Sequence, residues 1–456
     1  MKEFRVLSPT AILGYGFPAS SFEEGIKRKP HVIAVDAGST DPGPYYLGSG
    51  KSFTDRGAVK RDMQFMLEAG IKSGIPVIIG TAGGAGANSH LQWNVDIIME
   101  IARENDYSFK MAEISSQLDK GYVTKAFEKG DIKAYAPWPN PTLKDIDESV
   151  NIVAQMGHEP IIAALEAGAN VIITGRAYDP NVFAALAIKE GFDAGLALHM
   201  GKILECAAIA STPGSGSDCM FGYLREDCFE LATLSPLRKC TKTSVSAHTL
   251  YEKSNPTRLP GPGGVLDLSN CTFEQATEST VIVRGSRLIE DEKYYVKLEA
   301  AKLVGSRTVS FAATTDPIMI KQLPQIIEAV KQRVSNNFSD SGIEDFFLDF
   351  KVYGQSGASF YGDNSFDMAE AAIIIEAVAK TPEQADTICS FARSTLLHFG
   401  YEGRKSTAGN LAFPFSPSDF RGGQVYEFSL YCLMAIDCPK EFFPISVYDV
   451  NKGVRA

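Results

Sequence analysis

Asp36, Asp41, His199, Lys202 and Glu205 have the side-chain types and spacing that suit proton transfer, and Arg176 is placed to hold an anion. Asp36 and Asp41 sit five positions apart on Ala37-Gly38-Ser39-Thr40-Asp41-Pro42-Gly43-Pro44. Two such carboxylates can bind a divalent ion, Mg or Mn, or one can act as a base while the other hydrogen-bonds. Ser39 and Thr40 lie between them as substrate-binding hydroxyls. The plainer alternative is that Asp36 closes a strand and Asp41-Pro42-Gly43 makes a turn.

Gly80-Thr81-Ala82-Gly83-Gly84-Ala85-Gly86, followed by Asn88 and His90, is a second candidate. Glycines let the backbone approach a phosphate or carboxylate closely. Gly83, Gly84 and Asn88 are the expected contacts. The spacing is neither G-x-G-x-x-G nor a P-loop, so it indicates no nucleotide cofactor. Its structural alternative is a tight strand-to-helix turn with Asn88 or Ser89 as N-cap. Arg176 follows the strand Ala169–Thr174, where a guanidinium can clamp a substrate carboxylate through two parallel hydrogen bonds. Asp179 is a second binding candidate, or simply the N-cap before Pro180.

In Leu196–Cys206, His199, Lys202 and Cys206 fall at i, i+3 and i+7 on one helical face, and Glu205 borders it. Acid/base chemistry is the expectation there; the alternative is a histidine satisfied in a core. Lysine is not a usual metal ligand and no second histidine lies at i+4, so no metal-ligand set is expected on this helix. Cys219 and His248 form a weaker pair, a thiol with a distant base.

These residues need a scaffold that brings three loops together. His31–Asp36, Ile75–Gly80 and Ala169–Thr174 are β-branched apolar runs, each ending in small or turn-forming residues before a helical pattern. In an open α/β sheet the ligand lies at the carboxyl ends of such strands, where helix N-termini present free N–H groups. Short apolar strands alternate with helices near 57–73, 88–104, 118–129, 158–168 and 180–190. That predicts an α/β fold, a doubly wound, mostly parallel sheet. Residues 211–300 turn β-rich and are expected to cover it. The order strand, helix, strand, strand, helix, strand from 302 predicts a C-terminal ferredoxin-like α+β domain. The division is therefore 1–300 and 301–456. The Gly- and Pro-rich insert 399–424 suits a lid or a partner contact.

Net charge is 44 minus 55, or −11, which argues against nucleic acid or an anionic membrane as partner. No apolar run reaches the roughly 20 residues of a spanning helix, and no export signal opens the chain. The eight cysteines show no C-x-x-C pair and read as reduced thiols in a cytoplasmic protein.

Taken together, Val35–Pro44, Gly80–Gly86, Gly175-Arg-Ala-Tyr-Asp179, Lys202-Ile-Leu-Glu-Cys206, Ala247-His-Thr-Leu-Tyr-Glu252 and Gly409–Asp419 resemble the acyclic terpene utilisation (AtuA-like) family. The resemblance implies breakdown of citronellol- and geraniol-type acids through coenzyme A thioesters, or a related carboxylate catabolism. It also implies a small companion protein, and it supplies no catalytic residues.

The expected function is a cytoplasmic catabolic enzyme on a small carboxylate or acyl-CoA thioester, a lyase, hydro-lyase or isomerase, working as a homo-oligomer. Two rivals stand beside it: a metal-dependent hydrolase or decarboxylase using Mg or Mn on Asp36 and Asp41, and a non-catalytic subunit docking its companion. The lack of a dinucleotide fingerprint and of a G-x-S-x-G elbow disfavours a dehydrogenase or a standard α/β-hydrolase.

Overall fold

The strands Val32–Asp36, Val77–Gly80 and Val171–Thr174 are buried along their whole length. Continuous apolar runs of this kind form when helices cover both faces of a parallel sheet. Side chains alternate accordingly. Val32, Ala34, Ile78 and Ile172 join one apolar cluster, while Ile33, Val35, Val77, Ile79, Val171 and Ile173 join the other. The helices Arg56–Ser73 and Asn88–Glu104 supply the second cluster with Met63, Met66, Leu67, Val95, Ile98 and Ile101. Asp179–Lys189 and Ala194–Leu204 supply the first with Val182, Phe183, Ala197, Met200 and Ile203.

The computed structural model describes residues 2–38, 42–251, 255–339, 343, 345–354, 370–405 and 410–455. They divide into two compact units, Met1–Lys302 with Phe428–Ala456, and Leu303–Glu427.

In the first unit the described residues form an eleven-stranded sheet. At its centre Phe4–Ser8, Val32–Asp36, Val77–Gly80, Val171–Thr174 and Ser108–Ile114 lie side by side in that order, all parallel. The strands that carry the three candidate loops are thus immediate neighbours. Asp36 pairs with Gly80 and Ile79 with Ile173, so their three loops leave the same edge.

The β-rich stretch departs from expectation. Met220–Leu224, Cys228–Thr233, Thr280–Arg284 and Thr272–Gln275 extend the same sheet edgewise, antiparallel, instead of covering it. Their patterning explains this: Met220 packs in one cluster and Phe221 in the other, so this strand too is sandwiched. Arg258–Gly261, Gly264–Asp267 and Arg287–Glu290 form a separate three-stranded sheet. At the other edge Ile445–Asn451 pairs antiparallel with Ser108–Ile114, which returns the chain's C-terminal stretch to this unit.

The second unit is α+β. Its strands run in the order Phe346–Tyr353, Ala371–Ala379, the 303–314 part of Tyr295–Thr314 and the 419–427 part of Asp419–Ala435, with the first two pairings antiparallel. Pro317–Ser339 and Pro382–Leu397 pack Leu323, Ile326, Val330, Ile388 and Ala392 on the face that carries Phe350, Ile373 and Ile375. Within the 399–424 insert, residues 406–409 lie outside the described ones. No described helix is long and apolar enough to cross a membrane.

Candidate active site

Arg176 is where the three loops meet. Its loop follows the Val171–Thr174 strand and ends at Tyr178, the N-cap of the Asp179–Lys189 helix. Gly86, at φ +73°, lies against it so closely that a Cβ there would stand 2.1 Å from the Arg176 nitrogen. Ser116 Oγ accepts from the same Arg176 N–H at 2.5 Å. The glycine-rich loop therefore serves first as close packing for the Arg176 loop.

Arg176 is 4% exposed. Its Nε donates to Glu299 Oε2 at 2.8 Å, and Nη1 donates to Asp179 Oδ1 at 3.0 Å, to the Ala177 carbonyl at 2.8 Å and to Thr81 Oγ1 at 3.3 Å. Lys297 Nζ stands 2.7 Å from the other Glu299 oxygen. Burial works against the Glu299 carboxylate, but Arg176 and Lys297 overcome it and bring its pKa down to about 2. Burial likewise opposes the Arg176 charge, and Glu299 and Asp179 more than restore it. Much of the expected carboxylate clamp is thus spent on two protein carboxylates. Asp179 is not the N-cap; it takes the first helical turn, where a carboxylate also suits the dipole.

Asp36 is 2% exposed at the end of its strand. Its Oδ2 accepts from Gly38 N at 3.0 Å, while Oδ1 has no hydrogen-bond partner. Burial raises its pKa well above the ordinary value and Asp179 adds to the rise; Arg176 and the Gly38 N–H oppose it, and Glu205 reinforces it. An orphaned carboxyl oxygen facing two acids and a guanidinium is costly unless a ligand or proton satisfies it. Ser39, Thr40 and Asp41 lie outside the described residues.

Lys202 and Glu205 hydrogen-bond each other at the C-terminal end of the Ala194–Leu204 helix, 2% and 7% exposed. Burial opposes the Lys202 charge, and Glu205, Cys206 and Asp179 raise its pKa above the ordinary range. Tyr178 ties this pair to the rest: burial raises its phenol, then Glu205 raises, Lys202 lowers and Asp179 raises it. The fold thus brings the buried Asp36, Arg176, Lys202 and Glu205 into one charged cluster, with the half-buried Asp179 at its border.

His199 goes elsewhere. Its Nδ1 meets Ser286 Oγ at 2.7 Å, its Nε2 meets Thr249 Oγ1 at 3.2 Å, and Phe229 and Phe273 stand edge-on to its ring. Burial, helped by Lys202, lowers its pKa to about 3. Asn88 turns to Ser115, whose hydroxyl donates to its Oδ1 at 2.7 Å; the N-cap there is Ala87. Gly83, at φ +62°, packs on His90, where a Cβ would lie 2.7 Å from the His90 Cβ. Gly84, at φ +98°, packs on Phe53. Cys219 is buried in the apolar cluster with Phe221, its thiol pushed up by burial and Asp218, and no contact joins it to His248.

Glu299, Lys297, Tyr178 and Thr81 are the site residues that sequence reasoning passed over. Lys297 and Glu299 did leave a signal, two opposite charges at i and i+2 within the mostly apolar start of their strand, 295–301, hence on one face. Thr81, at φ 42°, shows none; its left-handed backbone is a tertiary outcome. Among the described residues no group of three or more His, Cys, Asp or Glu is arranged to hold a metal ion.

Residues 55–218 match the model of the acyclic terpene utilisation family protein AtuA, and over that segment the chain is similar to it. The matched segment contains the glycine-rich loop, the Arg176 loop and the Lys202–Cys206 motif. No curated protein and no solved structure matches the chain.

Proposed function

We propose, from the AtuA-like character of residues 55–218, that the protein is an enzyme of acyclic terpene utilisation. Its substrate would be a small branched carboxylate or the acyl-CoA thioester of one, and its reaction a proton transfer beside a carbonyl, as in a hydro-lyase, lyase or isomerase. The observation that carries this reading is Asp36: a buried carboxyl with one unpartnered oxygen, set among Arg176, Asp179 and Glu205 at the carboxyl end of a central strand. Sites of acid–base catalysis are where burial and like charges shift pKa values in this manner. Arg176, anchored by Glu299, would supply positive charge to a developing enolate, and the Lys202–Glu205 pair a second charged wall. A ferredoxin-like reading of the second unit is supported by its strand order and by both helices on one face.

The test is thermal stabilisation of purified protein by a panel of branched acids and their coenzyme A esters, followed by solvent-deuterium incorporation into any ligand that stabilises. Stabilisation by an ester and deuterium at the carbon next to its carbonyl is the expected result. Stabilisation without exchange in wild type would remove the enzyme reading and favour a binding subunit.

A further inference from the structure

Two histidines lie near the Lys202–Glu205 pair, and the fold uses them differently. Thr249 and His248 are neighbours on the Lys242–Thr249 helix. Thr249 is turned to His199 and hydrogen-bonds its Nε2, so both nitrogens of His199 are engaged by hydroxyls. His248 is only 6% exposed, yet its Nε2 has no hydrogen-bond partner. Its ring stacks on Tyr251 at 5.3 Å and 14°, and Lys202 Nζ stands 6.0 Å from the centre of that same Tyr251 ring. A buried ring nitrogen left unsatisfied costs free energy, and a catalytic role is one explanation for its persistence.

We propose that His248, and not His199, is the proton carrier of this site, its free Nε2 meeting the substrate beside Lys202. The inference rests on the reading of the cluster as a proton-transfer site. Burial, then the Lys202 charge, lowers the His248 pKa to about 4, which keeps the imidazole neutral and able to accept a proton. Asp36 is shifted the other way by its own burial. Groups driven apart like this take the base and acid roles respectively.

The step closes without a co-reactant. The Nε2 lone pair takes a proton from the carbon next to the carbonyl, and the C–H electron pair moves into the carbonyl to give an enolate. The imidazolium then returns a proton to that carbon or to its vinylogous position. In D₂O the returned proton is a deuteron.

The experiment uses the full-length protein and 3-methylbut-3-enoyl-CoA as probe, whose carbon next to the carbonyl is an acidic CH2. We expect His248→Gln to slow deuterium exchange by on the order of 100-fold or more, with the thermal stabilisation by the probe retained. His248→Gly should regain exchange on addition of imidazole. If His248→Gln exchanges at the wild-type rate, or if only His199→Gln loses exchange, the inference is overturned while the proposed function stands. If wild type itself exchanges no proton of the probe, both fall. Should His248→Gln fail to fold, rescue of His248→Gly decides: folded protein with no recovery in imidazole overturns the proposal.

Discussion

Burial gives Asp36 a pH dependence opposite to that of most carboxylates. Its folded-state pKa lies above the unfolded value of 3.8, so its contribution to stability is full below that value and declines as pH rises toward the folded one. Asp36→Asn copies the neutral form. The variant should equal wild type in urea denaturation near pH 4, exceed it at pH 7, and be inactive. Glu299 behaves in the reverse sense. Its pKa falls from 4.5 to about 2, so its contribution, about 3 kcal/mol, is present above pH 4.5 and is lost as pH falls through about 2. Glu299→Gln should cost about 3–5 kcal/mol at pH 7, since Arg176 and Lys297 lose their shared partner. It should also flatten the acid limb of a stability–pH curve. Arg176→Lys keeps the charge but not the fork. Because Arg176 holds Glu299 and Asp179 as well as facing the site, we expect a loss of about 2 kcal/mol in stability together with a raised KM. A KM effect with unchanged urea midpoint would show that the buried pairing is not what Arg176 supplies.

At the scale of elements, the three strand-end loops act as a wedge set. Gly86 is required twice over, by its φ of +73° and by the 2.1 Å approach to the Arg176 nitrogen. Gly86→Ala should therefore displace the Arg176 loop and cost at least about 3 kcal/mol. Gly261 has a milder version of the same duty: a Cβ there would stand 2.7 Å from the Tyr178 ring. Gly261→Ala should leave overall stability within about 1 kcal/mol while shifting Tyr178 and weakening probe binding, since one ring can give where backbone cannot. Urea midpoints and probe-induced melting shifts on both variants check this. The strand-loop-helix periodicity made these elements readable in sequence, and it placed the Arg56–Ser73, Asn88–Glu104 and Asp179–Lys189 helices to within a residue or two. The sense in which the loops are glycine-rich was not readable, because what packs on them lies elsewhere in the chain: Gly86 meets the Arg176 backbone, Gly84 the Phe53 side chain and Gly38 the Thr81 side chain.

For the whole molecule, the C-terminal strand is a structural member of the first unit. Ile445–Asn451 covers the edge of Ser108–Ile114, and an uncovered edge strand exposes a row of unpaired N–H and C=O groups. Truncation after Pro444 should lower the unfolding midpoint and promote association, as seen by circular dichroism and size-exclusion chromatography. A truncated chain that stays monomeric with an unchanged midpoint would show this strand to be dispensable. What the sequence by itself determined is the set of local periods: β-branched runs that must be buried on both faces, the helices between them, and the turn chemistry at the strand ends. These follow from side-chain spacing and need no partner. Only the tertiary structure decided that 220–233 and 272–284 extend the sheet, that the chain's end returns to its far edge, and that Glu299 holds Arg176 while hydroxyls hold His199. Each of these is a pairing between segments far apart in the chain, chosen by which buried polar group finds a partner and which edge finds a strand, and no local pattern encodes that choice.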